Sequence, residues 1–202
     1  MPADPVLRES RALISAAKET GCFVEMADVP GTRYSIRSGE SEVRFVQTEQ
    51  IYHKIKNPFA KSHIKRHPPE YAVFEHIVHN ILFPDCRLEF LGIAEDLHEA
   101  RMVFRQKAVR SETRPNDAQV EEYLRRELGL RPEGRYGFGN DWVFVTDVGQ
   151  DGDNVLIDDS GQLRFIDPIV GFKPPLLPFL DSALNSDDEI ETLLSRLLGL
   201  PD

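Results

Sequence analysis

The sequence predicts an α+β protein with two unequal lobes, and three observations carry that expectation. Short alternating runs, RYSIR, EVRFV and QIYHKIK, lie between about Phe23 and Ile55 and are separated by VPG and SGE turn signals. Apolar residues at helical spacing follow Pro69 and recur after Asp117. Finally, the stretch Thr146–Pro168 sets six aspartates, one arginine and no lysine around two apolar runs, VLI and LRFI.

Taken in order, Asp4 supplies an N-cap and Pro5 a pre-set first turn. Val6, Leu7, Leu13, Ile14 and Ala17 then give an amphipathic N-terminal helix that stops at Gly21. The alternating runs that follow are antiparallel strands. Pro68 and Pro69 open a second helix, with Tyr71, Phe74, Ile77, Val78 and Ile81 as its apolar stripe up to Pro84. RLEFLGI and ARMVFRQKAV read as two more strands joined through an acidic loop at Glu95–Glu99. After the linker SETRPN, a charged helix is expected from Asp117 to Leu130, with Val120, Tyr123, Leu124 and Leu128 inward. DWVFVTD and LRFIDPIV are strands flanking the acidic stretch, and DDSGQ turns NVLI back onto LRFI. The proline-rich KPPLLP is a stiff connector to a last helix near Asp187–Leu198. This gives one domain over residues 1–202: an N-terminal helix (1–21), an N-lobe (22–110) and a smaller, mostly helical C-lobe (111–202), hinged near Gln106–Arg114.

Composition narrows the function classes. Hydrophobic residues make up 41% and charged residues 29% of the 202, which suits a globular core rather than disorder. No apolar run approaches the roughly 20 residues that span a bilayer, and the N-terminus lacks the basic-then-apolar order of a signal peptide. A soluble, cytoplasmic protein without a membrane partner is expected. The net charge of -10 argues against nucleic acid as a partner. Cys22 and Cys86 lack CxxC spacing and are expected to be reduced core residues. One local exception to the acidity is His53–His67, with Lys54, Lys56, Lys61, Lys65 and Arg66 and no acid.

Two cation chemistries fit the acidic stretch. As a calcium loop, Asp147, Asp151, Gly152 and Asp158 would occupy positions one, five, six and twelve, but position three is Gly149 and position eight is Asn154. The alternative pairs Asn154 with Asp167 across the hairpin. An amide oxygen and a carboxylate can share one magnesium ion, which takes its remaining ligands from phosphate and water. An acid upstream of Asn154 can then orient a nucleophilic hydroxyl. Such a site calls for a lysine on an early strand and a glutamate on the next helix. On IYHKIKN, Tyr52, Lys54 and Lys56 share one face, with Lys54 central. Glu70 falls within the apolar stripe of the following helix and Glu75 at its edge. His76 and His79, spaced i,i+3, have no evident third ligand for zinc.

From Tyr52 to Phe172 the chain resembles the protein-kinase-like fold, and most closely the small kinase domain of bacterial and phage polyvalent proteins. IYHKI, PPEYAVFEHIVHNILFPDCRLEFLGI, VFVTD and DNVLIDDSGQLRFIDPIV carry the resemblance. It implies a minimal two-lobed kinase-like fold and an ATP- and Mg2+-dependent phosphotransferase. Lys54 would contact the nucleotide phosphates, Glu70 or Glu75 would hold that lysine, and Gln106–Ala108, with Gln106 and Ala108 at its ends, would contact adenine. Asn154 and Asp167 would take the metal, with Asp147 as the catalytic-loop acid. Asp147 precedes Asn154 by seven residues where the family pattern has five, so Asp151 competes for that role. Asp167 is followed by Pro168 and Ile169 instead of Phe-Gly, and no GxGxxG precedes Lys54. The partners implied are a nucleotide and a protein substrate or partner; a pseudokinase or binding module with the same fold is the alternative reading, followed by a calcium-binding or structural protein. The residues leave the phosphate acceptor open.

Overall fold

A computed structural model describes residues 5–34, 41–59, 69–111, 113–134, 137–149 and 154–176. Among these residues the protein is α+β, with three α-helices and eleven short strands in antiparallel ladders. It divides into two compact units, residues 1–72 with 88–108 and residues 73–87 with 109–202. The chain crosses between the units at Ala72–Val73, Arg87–Leu88 and Ala108–Val109.

The first unit is built on a five-stranded sheet in the order β1-β2-β3-β5-β4. Its strands are β1 (Thr32–Tyr34), β2 (Ser41–Val46), β3 (Ile51–Lys56), β4 (Leu88–Asp96) and β5 (Glu99–Lys107). Helix α1 (Pro5–Thr20) buries Ser10, Ile14 and Ala17 at helical spacing. Ile14 and Ala17 pack with Phe59, Leu88, Ile93, Ala100, Met102 and Phe104. The fully buried Ser10 hydroxyl accepts a hydrogen bond from Ala100 N at 3.2 Å, fixing the helix to β5. At its C-terminus Gly21 takes φ +74° and Cys22 N donates to Ala17 O, the bond that closes a glycine-terminated helix end. The capping residue expected at Asp4 lies outside the described residues.

Between α1 and β1 the sequence reading placed no element, yet residues 22–30 follow a defined path. Val24 N donates to Ile93 O and Ile93 N to Cys22 O, so the segment starts as a short parallel partner of β4. Gly92 makes this approach possible. It sits at a bulge in β4 with φ +149°, and a Cβ there would lie 2.3 Å from the Cys22 carbonyl oxygen. Val29 then buries among Ile55, Ala94 and Val103. The acidic loop expected at Glu95–Glu99 is a tight turn: Asp96 pairs with Glu99, and only Leu97 (φ 49°) and His98 (φ 68°) lie between.

The second unit takes most of α2 (Pro69–Leu82), the 3-10 turn Pro84–Cys86 and α3 (Asp117–Arg126). Phe74, Val78 and Leu82 of α2 join Val120, Leu124, Val143, Val145, Val155 and Phe165 in its core. Phe83 stacks on Phe165 with ring centroids 4.6 Å apart. Two sheets complete the unit. One has the order β11-β8-β7-β6, from β6 (Arg131–Glu133), β7 (Gly137–Gly139), β8 (Val143–Thr146) and β11 (Ile169–Phe172). The other is the hairpin of β9 (Val155–Ile157) and β10 (Leu163–Phe165), read from NVLI and LRFI.

Several expectations are corrected here. The charged helix ends at Arg126, four residues before Leu130, because Gly129 takes φ +64° and Leu130 N folds back onto Leu124 O. Its start is a capping box: Gln119 N donates to Asn116 Oδ1 and Asn116 N to Gln119 Oε1, both at 2.9 Å. Of the C-terminal part expected to be mostly helical, the described residues after 109 carry six short strands and one α-helix. The last helix expected near Asp187–Leu198 lies outside the described residues. Neither cysteine is in a disulfide, and only Cys86 is in the core; Cys22 is exposed because it lies just beyond the end of α1.

Candidate phosphoryl-transfer residues

Each unit carries its own share of the residues that the sequence singles out. In the first, β3 alternates as the IYHKIK pattern requires: Lys54 pairs across the sheet with Val43 and Phe104, Tyr52 with Phe45 and Gln106. Paired residues share a face, so Lys54 and Gln106 lie on the same side of the sheet. Lys54 is only 5% exposed and Gln106 only 3%. Lysine is almost never this buried without a counter-charge or hydrogen bonds, so the position selects against the ordinary solvent-facing reading. Ala108 follows the end of β5, and its N–H donates to Gln50 O at 2.9 Å.

Helix α2 supplies the two glutamates. Glu70 belongs to its first turn, grouped with the first unit, and its side chain lies outside the described residues. Glu75 is half-buried and belongs to the part grouped with the second unit.

In the second unit, the β9–β10 hairpin brings Asp147 and Asn154 together. Asn154 Nδ2 donates to the Asp147 backbone oxygen at 3.0 Å and to its carboxylate Oδ2 at 2.6 Å. Both contacts use the amide nitrogen, which leaves Oδ1 as the atom of Asn154 able to meet a cation. Asp147 is exposed and holds a left-handed backbone, φ 61°. Among non-glycine residues Asp and Asn tolerate that conformation best. On the facing strand Ile166 N donates to Asn154 O at 2.8 Å, which extends the β9–β10 ladder to the residue before half-buried Asp167. Asp151, the competing acid, lies outside the described residues.

The turn of this hairpin is held separately. The carboxylate of Asp158 accepts from Ser160 N, Ser160 Oγ, Gln162 N and Arg164 Nε. Hydrogen bonds from the Ser160 hydroxyl, then from Gln162, together with the Arg164 guanidinium, hold its pKa well below the usual carboxylate range. Arg164 also pairs with Asp85, tying β10 to the 3-10 turn before β4. Asp158 is thus a structural turn residue, which removes position twelve from the calcium-loop reading. The sequence held one clue to this clamp: Arg164 is the lone cation of the acidic stretch.

Among the described residues no three His, Cys, Asp or Glu side chains group as a metal cage. The pair available in the hairpin, one amide oxygen and one carboxylate, is the sparse oxygen set that suits magnesium held together with phosphate. His76 Nε2 contacts the Asn80 side-chain amide at 3.4 Å. Trp142 is half-buried and packs against the core of the second unit. Among the described residues no helix is long and apolar enough to cross a membrane.

A buried strand lysine and an asparagine–acid pair on a two-stranded hairpin are kinase-like features. The chain matches, over residues 7–173, the model of the family described as serine/threonine/tyrosine kinase found in polyvalent proteins, and it belongs to that family. No curated protein and no solved structure gives a significant match.

Proposed function

We propose that this protein transfers a phosphoryl group from ATP in a magnesium-dependent reaction, using a minimal two-lobed kinase-like domain over residues 1–202. The observation that carries the reading is the double contact of the Asn154 amide with Asp147, at 3.0 and 2.6 Å. It fixes an asparagine oxygen and an acid side by side at the mouth of the hairpin that leads to Asp167.

In this reading Asn154 and Asp167 hold magnesium, which supplies charge neutralisation at the phosphate oxygens when bound. Lys54 meets the nucleotide phosphates, and Glu70 or Glu75 is its charge partner. Gln106 and Ala108 meet the base, by side chain and backbone respectively. Asp147 accepts the proton of the acceptor hydroxyl, with Asp151 as the competing acid. The partners are the nucleotide and a hydroxyl-bearing acceptor, for which a protein is the natural candidate in a family of serine/threonine/tyrosine kinases.

The direct test is ATP turnover in wild type and Asp147→Asn. Asparagine keeps the left-handed backbone and still offers an oxygen to Asn154, so the fold is retained. Loss of a general base lowers turnover by about 10²–10⁴-fold. Equal turnover in the two proteins would remove Asp147 from the role.

One observation favours a second reading. The Asp147 carboxylate is already an acceptor for Asn154 at 2.6 Å, so its part can be to orient that residue in a nucleotide-binding module without transfer. That module would bind Mg-ATP and show no turnover in wild type.

A further inference from the structure

The sheet face opposite Lys54 has a different organisation. Arg33, Arg44, His53, Arg105 and Glu89 form one cross-strand row from β1 to β4. Segment 22–30 packs onto this face. Arg44 Nη1 donates to Met26 O at 3.2 Å and to Val29 O at 2.6 Å, and Val29 buries against Ile55 and Val103 beside the row.

His53 is 4% exposed and hydrogen-bonded to the backbone of Pro30. Proline has no N–H, so its carbonyl accepts and the imidazole donates. Nδ1 is buried and has no hydrogen-bond partner among the described residues. The donor is therefore Nε2, and the ring is the neutral tautomer with Nδ1 bare.

Protonation here is costly for two reasons that geometry alone supplies. A second ring N–H would have no acceptor, and the new charge would stand between two guanidiniums, Arg44 and Arg105. The acids next to those arginines are committed: Glu42 to Arg44 at 2.7 Å and Glu89 to Arg105 at 2.6 Å. Of the remaining charged groups, Glu49 in the β2–β3 turn favours the charged ring, while Glu25 and Asp28 on the segment are exposed. Burial foremost, then Arg105, holds the imidazole below its ordinary value, outweighing Glu49 and the hydrogen bond to Pro30, both of which favour the charged ring. A charged ring needs water. On one side of it is the sheet itself, so water reaches it by lifting the segment.

We propose that His53 is an acid-sensitive latch: it lies buried as the neutral ring under segment 22–30, and protonation, which keeps the Pro30 bond but puts a charge and a second N–H where no acceptor lies among the described residues, releases that segment. The folded pKa lies below the unfolded value of 6.5, so the folded state binds fewer protons in that interval. The latch's contribution is complete above pH 6.5, declines as pH falls through the folded pKa and levels off beneath it. The inference does not depend on phosphoryl transfer.

The test combines proton NMR titration of the His53 ring with cleavage after Glu25 by a glutamate-specific protease, at pH 7.5 and 5.5. His53→Gln keeps a donor for Pro30 but cannot titrate, and it also corrects for the protease's own pH dependence. The expected result is a ring midpoint below 6.5 and a several-fold rise, on acidification, in wild-type cleavage relative to His53→Gln. A midpoint at or above 6.5, or an unchanged cleavage ratio, would overturn the latch. If His53→Gln does not fold, Arg105→Gln serves instead. Removing one guanidinium should raise the ring midpoint, and an unmoved midpoint contradicts the proposal.

Discussion

Gly92 shows how one residue can fix the path of a distant segment. Its Cβ-free backbone at φ +149° is what lets the Cys22 carbonyl lie against β4. Gly92→Ala should therefore cost roughly 3 kcal/mol or more, from backbone strain and overpacking together, read as a fall in the urea midpoint. A cost below about 0.5 kcal/mol, the range of ordinary surface changes, would mean that the segment yields without penalty. The same scale explains what the sequence could and could not show of the site. Alternation on IYHKIK was enough to put Lys54 and Tyr52 on one face. The seven-residue spacing of Asp147 and Asn154 looked like a departure from pattern, and nothing local revealed that the asparagine amide closes back onto both the backbone and the carboxylate of that aspartate. His53 was legible only as one member of a basic run; its burial depends on a segment more than twenty residues upstream.

At the scale of elements, strong periodicity was readable and weak periodicity was not. Helix α2 and strands β2 to β5 lie where their apolar spacing put them. Strands β6 and β7, RPE and GFG, escaped because proline and glycine carry little strand propensity and three residues give no pattern. They form because their partners are already in place: β7 pairs with β8, whose Val143 and Val145 are fully buried. The tight β4–β5 turn was hidden for the opposite reason, since Leu97 and His98 are poor residues for two consecutive positive φ angles. Leu97 is 86% exposed, so no packing offsets that strain. Replacing Leu97-His98 by Asn-Gly should stabilise the protein by about 1–2 kcal/mol in equilibrium unfolding. No gain would show that the strain at these two residues is smaller than their φ values imply.

For the whole molecule, the family relationship and the residues divide the account cleanly. Membership of a kinase family is shown over residues 7–173. The division of labour proposed above gives nucleotide contacts to Lys54, Gln106 and Ala108 and metal contacts to Asn154 and Asp167. It follows that nucleotide and metal should bind as a linked pair, because each brings the charge that the other needs. The measurement that tests this most directly is the thermal midpoint of wild type and Asp167→Asn with magnesium alone, ATP alone and both. The predicted result is a wild-type shift that needs both ligands and is lost in the variant. At 100 times Kd the bound ligand adds about 2.7 kcal/mol to the stability of the folded state. For a chain of this length that corresponds to roughly 5–10 °C. No shift in wild type under any condition, or an equal shift in Asp167→Asn, would contradict the account.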